Sequence, residues 1–271
     1  MNLTDTHCHI HEAQYAQDEL DPVQAKWLRE GKPDPDDMIQ EAQAEGVTRL
    51  ICVGCTVADS EMAVEFAAQR PGVWASIGMH PHEAQRYVDD AAALAQFASL
   101  ATRPKVVAIG ECGLDFYYNH SPKQAQERIL RLQLELALEH NLPLIFHVRD
   151  AFTDFWPIFD EYKGLRGVIH SFSATRQELD DILARDLYVG LNGIMTFTKN
   201  PDQLEAAKAV PLDRLVLETD APFLTPDPHR GKICKPKHVR VTAQFLSELR
   251  DESLEQLAKC TTQNAQALFH F

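Results

Sequence analysis

The sequence predicts an α/β fold, a (β/α)8 barrel of the TIM type, on three observations. Short apolar runs alternate with amphipathic ones along the whole chain, the pattern of βα units around a parallel sheet. The runs that read as strands number eight. The length, 271 residues without a Gly/Ser-rich or Pro-rich linker, suits one barrel domain spanning 1–271. Periodicity alone leaves a doubly wound open sheet as the alternative.

Taken in order, the strands begin near Leu3, Arg49, Val73, Lys105, Pro143, Gly167, Leu187 and Arg214. The segments between them carry helical periodicity and start signals. Ser121-Pro122 followed by Gln124 opens one helix with a cap, a first-turn proline and a capping box, and Ala125, Ile129, Leu132 and Leu136 share its inner face. Asn141 and Pro143 stop it. Thr175 with Glu178 opens another, burying Leu179, Ile182 and Leu183, and Asn200-Pro201 opens a third.

Composition narrows the function. With 45% hydrophobic and 24% charged residues the chain can bury a large core without disulfide staples. No uninterrupted apolar run reaches the roughly 18 residues of a membrane span, and the N-terminus lacks a basic region followed by an apolar one. A cytoplasmic protein with no membrane partner is the expectation. The six scattered cysteines are expected to be reduced, with the CxxC of Cys52 and Cys55 read as a buried strand end. A net charge of −14 excludes general affinity for DNA, so any nucleic-acid site must be local.

In a barrel, chemistry sits at the C-terminal ends of the strands. The first run ends in Asp5-Thr6-His7-Cys8-His9, where strand alternation points Asp5, His7 and His9 one way. The fourth ends in Glu111, the fifth in His147, the sixth in His170 and the eighth in Asp220. Six metal-competent side chains thus follow apolar runs that give them no packing role. Four imidazoles and two carboxylates are about the number that two divalent ions require while leaving positions for water and substrate.

With these residues in view, the chain resembles the TatD-like metal-dependent hydrolases, the TatD DNase family of the amidohydrolase superfamily. The likeness rests on DTHCH (5–9), GMHPH (78–82), GECGLDFYY (110–118), FHVRDA (146–151), HSFSA (170–174) and LETDAPFLTP (217–226). It implies a deoxyribonuclease, 3′-5′ exonuclease-like, that cleaves phosphodiester bonds through a metal-bridging hydroxide. It further implies two divalent cations, whose identity the sequence does not fix, since imidazoles with carboxylates suit Zn, Mn, Co or Ni and can accept Mg. His7, His9 and Asp220 would bind the first, His147 and His170 the second, and Glu111 both, with Asp220 as catalytic base. The implied partner is DNA; the net charge of −14 and a narrow barrel mouth point to entry at single-stranded ends, and no obligate protein partner is evident.

Other residues carry expectations of their own. His80 reads either as a contact to substrate phosphate or as a histidine orienting a ligand. Arg149, two residues beyond His147, could clamp phosphate, with Asp115 holding it, and Glu218 reads either as a support behind the site or as packing inside the barrel. The segment 229–240 has five Lys or Arg and no carboxylate, and its Arg230, Lys232 and Lys235 read as phosphate contacts. Here the family shows an RNEP-like run where this chain has Lys232-Ile233-Cys234-Lys235-Pro236. That departure keeps a second reading open, a binuclear hydrolase of a small ester, amide or aminoacyl-tRNA bond. The stretch 12–35 is longer than the family usually has and emerges where loops become lids or surface decoration.

Overall fold

The computed structural model describes residues 1–17 and 22–271. Among the described residues there are eight strands: β1 (Leu3–Cys8), β2 (Val47–Val53), β3 (Val73–Ile77), β4 (Val106–Asp115), β5 (Leu144–Arg149), β6 (Gly167–Ile169), β7 (Tyr188–Leu191) and β8 (Leu215–Leu217). They form one sheet in chain order. A parallel bridge from Cys8 to Ala221 joins β1 to the segment after β8. Parallel strands in chain order separated by helices make a (β/α)8 barrel.

The chain divides into two compact units, Met1–Cys52 with Ser171–Ala267, and Val53–His170 with Leu268–Phe271. In the first, Leu3, Leu50, Ile51, Val189, Leu191 and Leu215 are fully buried or nearly so. Trp27, on the helix Pro22–Arg29, is wholly buried, and its Nε1 donates to the His9 carbonyl at 3.2 Å. The described part of 12–35 is therefore pinned to the end of β1; residues 18–21 of that stretch lie outside the described residues. In the second unit, Phe146 of β5 packs edge-on against Phe155 (5.1 Å) and Phe159 (5.8 Å).

Two helix starts follow the sequence. Thr175 and Glu178 form the capping box of Arg176–Leu183, and Asn200 caps Pro201–Ala209 by accepting from the Asp202 N–H. The third differs: Lys123–Glu139 has no side-chain cap. Ser121 instead donates to the His82 carbonyl (2.7 Å) and accepts from the Gln85 N–H (3.0 Å), so its hydroxyl holds the short helical segment 81–87 rather than the helix start. That helix buries polar groups beside its apolar face. Gln133 accepts from the Met79 N–H (2.8 Å) and donates to the Met79 carbonyl (3.0 Å). Gln126 does the same for Asp115, at 2.8 and 3.1 Å.

Candidate metal centre

In the first unit, β1 and the chain after β8 form a small cluster. His7 Nε2 lies 3.7 Å and His9 Nε2 3.4 Å from Asp220 Oδ1. The backbones interlock, with Asp220 N–H donating to the His7 carbonyl and His9 N–H to the Ala221 carbonyl, both at 2.8 Å. Asp5 lies behind them, fully buried, accepting from the Thr219 hydroxyl (2.6 Å), the Thr219 N–H (2.9 Å) and the His7 N–H (3.3 Å). Burial raises its carboxyl well above the usual range, although those hydrogen bonds pull the other way. Asp5 thus fixes the residue before Asp220, a role the alternation of β1 hinted at without naming its partner. Asp220 itself adopts φ +60°, a left-handed turn that an aspartate tolerates.

Glu218 is buried as expected, and its Oε1 accepts from the Ser171 N–H (2.6 Å) and Asn192 Nδ2 (3.3 Å). It braces the turns after β6 and β7 against β8.

In the second unit, Glu111 gathers three imidazoles around one oxygen. Its Oε1 lies 2.7 Å from His147 Nδ1, 3.5 Å from His80 Nε2 and 3.6 Å from His170 Nε2. The Cys55 thiol faces the other oxygen at 3.8 Å. The fourth strand does not end at Glu111 as the apolar run suggested; it runs on to Asp115, with a register shift against β5 between Ile109 and Cys112. Such an irregularity re-aims a side chain, here Glu111. Two glycines make the room. A Cβ on Gly78 would stand 2.3 Å from the Glu111 nitrogen, and one on Gly113, at φ +150°, 1.9 Å from the His147 carbonyl oxygen.

Asp115 was expected to hold Arg149, its neighbour in register, and does not. Its Oδ2 accepts from His147 Nε2 and His82 Nε2, both at 2.9 Å, and its Oδ1 from the Tyr117 and Tyr118 N–H groups at 3.0 and 2.9 Å. With no acceptor capacity left and no exposure, Asp115 leaves the exposed Arg149 to lie over the rings of Tyr117 (4.2 Å) and Tyr118 (4.6 Å). Burial would raise the Asp115 carboxyl, yet the hydrogen bonds from His147 and His82 hold it far below the usual range. Burial likewise opposes charge on His147, but its bonds to Asp115 and Glu111 raise it. His80, desolvated and beside His147, is pushed down to about 4 despite Glu111. His82 and Asp115 are the residues that sequence reasoning missed or misassigned; the GMHPH and GLDF motifs were their only signal.

The basic segment is partly neutralised. Lys235 (3.4 Å) and Lys237 (2.9 Å) both reach Glu41, and Arg240 reaches Glu45 (3.4 Å). Lys235 is thus engaged by the helix Pro35–Ala44 rather than held out for phosphate. Arg230 lies over Phe197 at 3.7 Å and donates to the Thr225 carbonyl at 2.8 Å, while remaining exposed. Lys232 is exposed, with no ion pair among the described residues.

These donor sets fit divalent ions. Nitrogen and oxygen ligands each about 2.1 Å from a tetrahedral ion stand roughly 3.4 Å apart. The His9–Asp220, His80–Glu111 and His170–Glu111 separations fall there. The Asp115–His147 bond fixes the ring so that Nδ1 faces Glu111, the carboxylate–histidine arrangement that commonly stands behind a ligating imidazole.

Residues 4–270 match the family of TatD related DNases. The chain is 35% identical to the uncharacterized metal-dependent hydrolase YabD of Bacillus subtilis (strain 168), over 98% of each chain. It is 36% identical to the 3′-5′ ssDNA/RNA exonuclease TatD of Citrobacter rodentium (strain ICC168), covering 87% of this chain and 92% of that one. Among solved structures, the TatD homologue YJJV of Escherichia coli K12 superposes with a TM-score of 0.86 at 25% identity, covering 99% and 98% of the two chains. Strand order, clustered imidazoles and carboxylates, and these relatives agree: the chain belongs to the TatD-related DNase family of metal-dependent hydrolases.

Proposed function

We propose that the two units act as one catalytic barrel domain, in the cytoplasm, as a 3′-5′ exonuclease on single-stranded DNA ends using two divalent ions. The observation that carries the reading is the gathering of three imidazoles around one Glu111 oxygen, with His7 and His9 around one Asp220 oxygen. In this reading His7, His9 and Asp220 would hold one ion and His147 and His170 the other, with Glu111 a ligand that both would use. Zn, Mn, Co, Ni and Mg all suit a mixed imidazole and carboxylate set. Two bound ions supply Lewis acidity and acidify water toward neutral pH. Asp220 takes the proton of the attacking water, and Asp5 keeps it aimed through Thr219. His80, kept neutral by burial and with its Nδ1 accepting from the His82 N–H, sits beside Glu111 where its Nε2–H is able to donate to a phosphate oxygen. The relatives named as 3′-5′ ssDNA/RNA exonucleases support the substrate class. Six free cysteines suit a reducing compartment.

A second reading, hydrolysis of a small ester, amide or aminoacyl-tRNA bond, is favoured by one observation, the loss of Lys235 and Lys237 to Glu41. Metal-stripped protein refilled with one ion at a time separates the two. Release of nucleotides from a labelled single strand, with two ions per chain by elemental analysis, is the expected result. A stoichiometry that stays at one, together with normal loading of Glu111→Gln, rejects the shared carboxylate, and esterase activity without nucleotide release selects the second reading.

A further inference from the structure

Beyond the ligand clusters, the turn after β4 presents two large exposed rings, Tyr117 at 59% and Tyr118 at 51% exposure. They are organised rather than splayed. The two rings meet edge to face at 4.8 Å, the Arg149 guanidinium lies over both, and Tyr118 stacks parallel on His120 at 5.7 Å with 8° between the planes. Their backbone is fixed from below: the Asp115 oxygen that accepts from both tyrosine N–H groups belongs to the carboxylate that also accepts from His147. One buried group therefore ties an exposed aromatic and cationic surface to the imidazole beside Glu111.

We propose that Tyr117 and Tyr118, with Arg149, form a stacking subsite for an unpaired nucleobase of the substrate strand, next to the linkage held at His147 and Glu111. The proposal rests on the nuclease reading and names what that reading leaves open, how the strand is gripped. A chain of net charge −14 gains little from the phosphates of a distant strand, whereas a ring face attracts any base without regard to its sequence. Arg149 adds its flat guanidinium to the same surface and a positive charge for the adjoining phosphate. Bases inside a duplex have both faces covered by their neighbours, so the subsite selects a frayed or single-stranded end.

The test uses the full metal-loaded chain and a 5′-fluorescein-labelled oligothymidylate whose 3′-terminal linkages are phosphorothioates, followed by anisotropy. The same strand with abasic positions at its 3′ end is the comparison. Replacing both rings (Tyr117→Ala with Tyr118→Ala) is expected to weaken binding of the intact strand on the order of tenfold. Tyr117→Phe with Tyr118→Phe is expected to keep it, because the ring face and not the hydroxyl makes the contact. The abasic strand is expected to bind wild type as weakly as the intact strand binds the alanine pair, and to lose nothing further with that pair. Equal weakening of intact and abasic strands, no weakening of either, or failure of the phenylalanine pair overturns the subsite. So does a surface that binds other proteins but shows no preference for the intact strand. Cutting of an unmodified strand is scored separately. Protein that discriminates the strands yet cuts neither refutes the nuclease reading alone, and protein that cuts both alike with equal affinity refutes the subsite alone.

Discussion

At the scale of single residues, the proposal gives Asp220 two roles in one carboxylate, ion ligand beside His7 and His9 and acceptor of the water proton. Asp220→Asn preserves the shape, and asparagine tolerates the same left-handed φ of +60°, so backbone strain does not confuse the result. Turnover of a labelled single strand is expected to fall by about 10²-fold or more, with metal content measured on the same sample. Retained turnover would place the base elsewhere. Six of the seven residues that the structure gathers in the two clusters stood out in the sequence, because each interrupts or follows an apolar run with a group that packing does not need. What was not legible was who serves them. Asp115 was read as a partner for Arg149, which proves to be its register neighbour, but a carboxylate has few lone pairs, and His147, His82 and two backbone N–H groups take them first.

At the scale of elements, the helix Lys123–Glu139 shows what hydrophobic periodicity hides. Its inner face was read from Ala125, Ile129, Leu132 and Leu136, yet Gln126 and Gln133, at most 1% exposed, are what hold the ends of β4 and β3. Gln133→Leu keeps the bulk and removes both bonds to Met79, leaving a buried N–H and carbonyl unpaired. Stability is expected to drop by about 1–3 kcal/mol, read as a lower urea midpoint at unchanged slope. A midpoint equal to wild type would mean that water replaces the amide. A glutamine recurring at a spacing of seven within an apolar stripe was the available signal, and it only becomes a meaning once the strand ends beneath it are known. Strand identity, by contrast, was plain in the sequence, because β-branched runs flanked by helix starts leave little choice, while the extension of β4 to Asp115 depends on glycines and on its register against β5.

For the whole molecule, the charge balance sets how it meets a polyanion. With Lys235 and Lys237 engaged by Glu41, the proposed phosphate contacts are those of Arg230, Lys232 and Arg149. Two or three such contacts imply that log affinity for a single strand falls with log salt at a slope of roughly −1.4 to −2.1. Arg230→Ala with Lys232→Ala is expected to flatten that slope and to weaken binding across sequences without altering metal content; an unchanged slope would move the contacts off this segment. The barrel itself was readable from eight alternating runs, whereas the neutralisation of the basic segment was not, because Glu41 lies far away in the chain and only the fold brings it there. One detail of that fold offers a practical handle. The indole of Trp27 is bonded to the carbonyl of His9, so one of only three tryptophans in the chain is a built-in optical reporter beside a ligand of the proposed first ion. A paramagnetic or coloured ion such as cobalt arriving there should dim its emission, which would let occupancy be followed in real time in unlabelled protein.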